Sequence, residues 1–440
     1  MKRLCLPVLI ALILTIYPSA IFAWWEHSLI TYSAAGSIEQ LQKEVTVESL
    51  ESFVKAEQSG LETLLRELDR KNRSNPEYPP LPESLQFKAN NGQPALAFLR
   101  ALRINPTIKL AMAVQEVPGK IPGNCHRIPH TEVTILKDAD YMKEITFCAY
   151  RTGDRVQALL VLSSASDEPD YGHDIGLFED NHTEFGKEYG FGEQSFGNAK
   201  LEYSSQAPFH MGFYHESAVV YTLAGFLKQT YADYRAREFL ALARFAFKTG
   251  HPYWGYRFLG WGLHYLQDLT QPYHARVMPA KGTTGLVWMN LLNTVGISSP
   301  QTEAIQQLSN RHLALENFQR NLMIAVYQQK RKPGAMWKAL TDLQLDDSYD
   351  PAANGYIRQI VAGEAASSAS EVDSILEQQL PESIATDGNY VYKGVGAEDD
   401  IYAMLEKKGT TNTLVNALTP VFQRVGAHTR NYIRLGLSQE

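Results

Sequence analysis

The 440-residue chain carries 41 Lys and Arg against 48 Asp and Glu, a formal net charge of −7. A mildly acidic chain argues against broad nonspecific binding to polyanions, although bound metal ions can supply positive charge locally. The length suffices for one large domain or two ordinary ones.

The first residues predict an export signal. Lys2 and Arg3 precede an apolar run from Leu4 to Tyr17, and Pro18, Ser19, Ala20 and Ala23 mark a cleavage region. An uncleaved anchor is the alternative. Cleavage after Ala23 divides the chain into a 1–23 signal peptide and a 24–440 domain, and removing Lys2 and Arg3 shifts the charge from −7 to −9. No other stretch approaches the ~20 apolar residues of a membrane span. The expectation is an exported protein, periplasmic or extracellular, that is not an integral membrane protein. Cys125 and Cys148 remain after cleavage. An oxidising compartment favours a disulfide between them, two buried thiols being the alternative.

In chain order, helix-like apolar spacing occurs near Ser28–Leu41, Leu61–Lys71, Ala95–Ala101, Val219–Tyr231, Arg235–Phe247, Arg257–Leu269, Thr302–Val326 and Val415–Leu435. The stretch 104–153 differs. Its β-branched and aromatic runs Val133–Leu136 and Ile145–Tyr150 predict a small hairpin. The expected fold is all-α, with a disulfide-stapled α/β insertion at about 104–153.

The chemistry concentrates in His264-Tyr-Leu-Gln-Asp268-Leu-Thr-Gln-Pro-Tyr-His274. His264 and Asp268 stand four residues apart, one turn along one helix face. Pro272 discourages the helix from continuing, which lets His274 turn back toward the pair. His312 and Glu316 repeat the spacing downstream. Imidazole nitrogen and carboxylate oxygen are zinc donors. A single such pair is more often an ion pair, but two pairs with His274 between them point to metal binding. The apolar neighbours Trp261, Leu263, Tyr265 and Leu266 imply a buried His264–Asp268 pair, which needs a partner or a metal to offset desolvation.

The H-x3-D-x5-H pattern with its Asp-x-x-Gln-Pro-x-His core, followed by H-x3-E, resembles the signature of the zinc-dependent phospholipase C and single-strand nuclease superfamily. The resemblance is strongest from about residue 165 to 320, and Gln423–Ile433 echoes it. The longer gap between His274 and His312 implies an insertion over Val277–Arg311. The resemblance implies further ligands at Asp170, in Pro169-Asp170-Tyr171, and at His210, with His215 as a competitor. His173 and His182 read as surface residues. It also implies that the mature N-terminal residue, Trp24, chelates a metal through its amine and carbonyl, with His27 adding an imidazole. Packed aromatics are the alternative at Trp24 and Trp25. The implied cofactor is three Zn2+: one on Asp170, His210, His264 and Asp268, a second on His274, His312 and Glu316, and a third on Trp24, His27 and the shared Asp268.

Such a cluster suits hydrolysis of phosphodiesters, with Asp170 also orienting the nucleophile or taking its proton. The substrate expectation is a phospholipid, cut as by a phospholipase C. Single-stranded nucleic acid, cut to leave 5′-phosphates, is the alternative. Asp170-Tyr171 resembles the lipid-cutting members, whereas Ala207 is smaller than the aromatic they tend to carry there. A noncatalytic zinc-binding surface protein is a third reading. No stable protein partner is implied.

Overall fold

The computed structural model describes residues 26–90, 92–116, 125–137, 139–197, 199, 202–279, 299–328, 334–394 and 400–438. The expected signal segment and Trp24 lie outside them.

The fold is mostly helical and is built around Pro252–Asp268, whose residues from Tyr253 to Asp268 are all buried. A helix apolar on most of its circumference must be covered on every side. Here Ala232–Lys248, Ala158–Ala165 and the long C-terminal helix Thr411–Leu437 cover it. Close approach depends on Gly262, where a Cβ would lie 1.9 Å from the Tyr432 hydroxyl. That hydroxyl donates to the Ala236 carbonyl at 2.5 Å and so ties three helices together. Any side chain at 262 has to displace this contact.

Two large apolar cores form among the described residues. The first surrounds Pro252–Asp268 and includes Trp254, Phe258, Trp261 and Leu266. The second gathers Leu313, Leu315 and Phe318 of the Ser299–Gln328 helix with Phe422 and Val425 of the C-terminal helix. The first helix, His27–Ala35, contributes to both. The candidate residues come from helices of both cores, His264 and Asp268 from Pro252–Asp268 and His312 and Glu316 from Ser299–Gln328.

Most expected helices form, but with altered ends. The first stops at Ala35, before Gly36, and a 3-10 turn follows at Glu39–Gln42. The segment expected to run from 219 to 231 is a short helix Ala218–Leu223 and a 3-10 turn Gly225–Lys228. Glycine at 225 weakens a continuous helix there. Part of the expected 277–311 insertion is helix, since Ser299–Gln328 begins twelve residues earlier than Arg311.

The 104–153 insertion differs from the expected hairpin and α/β make-up. Three antiparallel strands, β2 (Ala113–Gln115), β3 (His126–Ile128) and β4 (Phe147–Ala149), form a sheet in the order β2-β4-β3. Val133–Leu136 is not a strand. Its backbone is taken up by Tyr171, whose carbonyl accepts from the Ile135 N–H and the Thr134 hydroxyl. The helical parts among the described residues are 3-10 turns, His130–Glu132 and Asp140–Glu144, so the insertion is sheet and turn rather than α/β. A second pair, β1 (Glu44–Thr46) with β5 (Arg155–Gln157), closes its base.

Cys125 and Cys148 form the disulfide, with Cα atoms 5.5 Å apart across 23 residues of sequence. Closing a loop of that length contributes about 3 kcal/mol in the entropic model. Cys125→Ala with Cys148→Ala is expected to lower unfolding free energy by about that amount in chemical denaturation.

Candidate metal centre

The helix Pro252–Asp268 ends where its sequence says it should. Gln271 then turns the chain, its Oε1 accepting from the Tyr273 N–H at 2.5 Å. Pro272 opens a new helical turn, Pro272–Ala275, at a position where its missing N–H costs nothing. This folds His274 back toward Asp268, whose Oδ1 lies 3.7 Å from His274 Nδ1.

Among the described residues three buried groups could hold a metal ion: His27, His264 and Asp268; Asp170, His210 and His264; and His274, His312 and Glu316. Within each group the donor atoms lie within 4.8 Å of one another. Asp268 connects them. Its Oδ2 is 2.9 Å from His210 Nδ1 and 3.4 Å from His264 Nε2, while its Oδ1 is 3.5 Å from His27 Nε2. Asp170 Oδ1 stands 3.8 Å from His210 Nδ1 and 3.7 Å from His264 Nε2. In the third group His312 Nε2 is 2.7 Å and His274 Nε2 3.8 Å from Glu316 Oε1.

Several polar atoms that face these groups are among the buried atoms left without hydrogen bonds. His27 Nε2, both Asp268 oxygens, His274 Nε2, His312 Nε2 and Glu316 Oε2 are buried and unpartnered. Buried polar atoms are nearly always satisfied, so this concentration suits cations at the His27–His264–Asp268 and His274–His312–Glu316 groups. The rings are also held from behind. His264 Nδ1 donates to the Ser166 carbonyl at 2.8 Å and His274 Nδ1 to the His210 carbonyl at 2.8 Å. His27 Nδ1 meets Gln267 Oε1 at 2.9 Å. A proton held on Nδ1 leaves the Nε2 lone pair free, the arrangement expected of metal-binding histidines.

Burial and mutual attraction set the charges in the metal-free chain. Burial pushes the Glu316 carboxyl up to about 8 and the His312 imidazole down to about 3. Burial likewise raises Asp170 to about 6. At Asp268 burial works in the opposite sense but loses to the surrounding imidazoles, led by His264 and His210, which hold it well below the usual carboxylate range. Burial opposes charge on His27 too, yet the Asp268 carboxylate lifts it to about 9.

All eight described candidates, His27, Asp170, His210, His264, Asp268, His274, His312 and Glu316, are brought together, and Trp24 lies outside the described residues. His27 opens the first helix. His215 is not part of the cluster, because its Nε2 meets the Arg358 carbonyl at 2.7 Å. His173 is buried rather than a surface residue, with its ring edge-on to Trp261 at 4.5 Å between centroids. Tyr171 is buried as well, and its hydroxyl donates to Gln115 Oε1 at 3.0 Å.

The supporting residues were missed by sequence reasoning. Gln267 holds His27, Gln271 donates to Glu316 Oε1 at 3.2 Å, and Gln206 donates to Asp170 Oδ1 at 3.3 Å. The two glutamines at 267 and 271 are themselves four apart inside the motif, a signal that was available. Asp167, which accepts from the Ser28 N–H at 3.1 Å and anchors the first helix, carried no such signal. No family model, curated protein or solved structure matches this chain.

Proposed function

We propose that this chain is a zinc-dependent phosphodiesterase, most naturally a phospholipase C acting on glycerophospholipids. The observation that carries the reading is Asp268, a buried carboxylate whose two oxygens face two different sets of imidazoles. Mixed nitrogen and oxygen donors of this kind suit zinc. Asp170, His210, His264 and Asp268 would hold one ion and His274, His312 and Glu316 another. His27, the second oxygen of Asp268 and the amine and carbonyl of Trp24 would hold a third. Zinc bound there supplies a water acidic enough to ionise near neutral pH and positive charge for the phosphate oxygens. The chain's own residues fix the donors, exclude bulk water by their burial, and present Asp170 to orient the attacking water and take its proton.

Two features support lipid over nucleic acid. The chain is acidic, whereas unspecific nucleic-acid binding rests on many cationic contacts. Beside the site lies a small apolar cluster, including Phe196, Met211, Phe213 and Val220, with Phe226 and Val277 against it. It joins the residues following His210 to those following His274, and the neighbouring Val219 is 43% exposed. Hydrolysis of phosphatidylcholine vesicles and of single-stranded DNA, each with and without chelator, tests the reading. Chelator-sensitive release of diacylglycerol is expected. Cleavage of DNA alone would transfer the site to nucleases, and inactivity on both by the zinc-loaded chain would leave a binding protein.

A free Trp24 amine is part of this proposal. One extra residue turns that amine into an amide nitrogen, a poor ligand at neutral pH, while His27 Nε2 stays aimed at Asp268 Oδ1. A chain with Met left before Trp24 is expected to bind one zinc fewer by elemental analysis, and proteolytic trimming to Trp24 should restore it. Equal zinc in both forms removes the N-terminal ligand and leaves the other two groups intact.

A further inference from the structure

His210 faces the centre in the opposite sense to its neighbours. His264 and His274 turn Nδ1 to backbone carbonyls and Nε2 toward the carboxylates. In His210 it is Nδ1 that lies 3.0 Å from His264 Nε2 and 2.9 Å from Asp268 Oδ2. Two imidazole nitrogens this close share a cation well only if both offer lone pairs. The His264 proton is already on Nδ1, so the His210 proton must sit on Nε2 when a metal is bound. That atom is buried and has no hydrogen-bond partner, and a carboxylate stands 3.6 Å away: Asp174 Oδ2.

Asp174 is 0% exposed and carries two other connections, the Tyr265 hydroxyl donating to Oδ2 at 2.5 Å and Arg235 Nη2 donating to Oδ1 at 2.7 Å. Arg235 in turn donates to the Leu102 and Arg103 carbonyls and to Glu238. The carboxylate is thereby held rigidly, on a loop whose path is set at Gly172. There φ is +127° and a Cβ would lie 2.2 Å from Ile135, so no other residue fits. We infer that Asp174 is the positioning residue of the proposed metal centre, accepting the Nε2 proton of His210 and so presenting the Nδ1 lone pair to the ion held with Asp170 and His264. The step needs only a few tenths of an ångström of closure, from 3.6 Å to hydrogen-bond length. Carboxylates in this relation to a metal-binding histidine raise its basicity and lock its tautomer.

The inference rests on the metal-centre reading, and its test is read by zinc affinity rather than by turnover. The mature chain, its Asp174→Asn variant, His210→Ala and the double variant are titrated with zinc against a chromophoric chelator. Asp174→Asn is expected to weaken one ion by about tenfold to a hundredfold and leave the others unchanged. In the His210→Ala background the same substitution should change nothing further. A role confined to holding Arg235 predicts a lower melting midpoint of the metal-free chain with all zinc affinities retained, which would overturn the proposal. An equal loss of affinity with and without His210 would overturn it too. Should Asp174→Asn not fold, Tyr265→Phe decides: freeing Oδ2 from its hydroxyl donor should alter the affinity of that same ion alone, and no change counts against Asp174. A wild-type chain that takes up no zinc sinks the metal centre itself, and this outcome is distinct from a wild type that loads zinc beside an indifferent Asp174 variant.

Discussion

Asp268→Asn is expected to lose at least one metal ion per chain and to reduce phosphodiester turnover by about a thousandfold. The substitution keeps the size of the side chain but replaces one oxygen by an NH2 group that cannot donate a lone pair. Both Asp268 oxygens are committed, Oδ2 toward His210 and His264 and Oδ1 toward His27 and His274. Whichever way the amide turns, one set of imidazoles loses its anionic partner. The rate estimate takes about 4 kcal/mol for charge stabilisation lost with one metal, at about 1.4 kcal/mol per tenfold. Charge balance is lost as well, since Asp268 stays ionised in the metal-free chain because His264 and His210 outweigh burial. Substituting Asp170, the other carboxylate beside His210 and His264, should cost less metal, because its Oδ1 meets only that one set of imidazoles. Elemental analysis after dialysis and initial rates on phosphatidylcholine check both statements. Wild-type zinc content and turnover in Asp268→Asn would falsify the assignment of the motif.

Removing the metal should lower the melting midpoint by roughly 10 °C or more, and the gap should widen as pH rises from 6 to 9. Each site filled at a free metal concentration a thousand times its dissociation constant stabilises by about 4 kcal/mol. The pH dependence follows from the groups left behind. Glu316, raised to about 8 by burial, holds a proton in the fold that it loses near 4.3 when unfolded. Its contribution to the metal-free fold is therefore lost as pH rises through about 8. His27, raised to about 9 because Asp268 outweighs burial, contributes fully below its unfolded value of about 6.5 and loses that contribution as pH rises through about 9. His312, lowered to about 3 by burial, works in the other sense but has finished by about pH 6.5. The metal-free chain thus weakens over 6 to 9, while deprotonation of Glu316 favours metal uptake over the same range. Thermal scans with and without chelator at pH 6, 7.5 and 9 measure the gap. A constant or narrowing gap would mean that Glu316 and His27 do not bind the metal.

The amino-acid sequence by itself determined the local part of the site. Spacing of four places His264 with Asp268 and His312 with Glu316 on helix faces, and Pro272 bends His274 back, because helical periodicity and the geometry of proline act over a few residues. The buried character of the central helix was legible in the same way, from the aromatic and aliphatic neighbours of His264. The choice between His210 and His215 was not, since it depends on Arg358, 143 residues from His215, capturing the latter's ring. Strand pairing in 104–153 also escaped. β4 pairs with β2 and β3, whereas Val133–Leu136 is drawn off by Tyr171, a competition between distant backbones that no local pattern encodes. Burial of His173 and the approach of Asp174 to His210 arise the same way, from a loop turned at Gly172 and fastened by Arg235 and Tyr265. What only the tertiary structure decided was which groups, as distant in sequence as His27 and Glu316, share one desolvated volume, because desolvation and Coulomb attraction depend on distance in space and not along the chain.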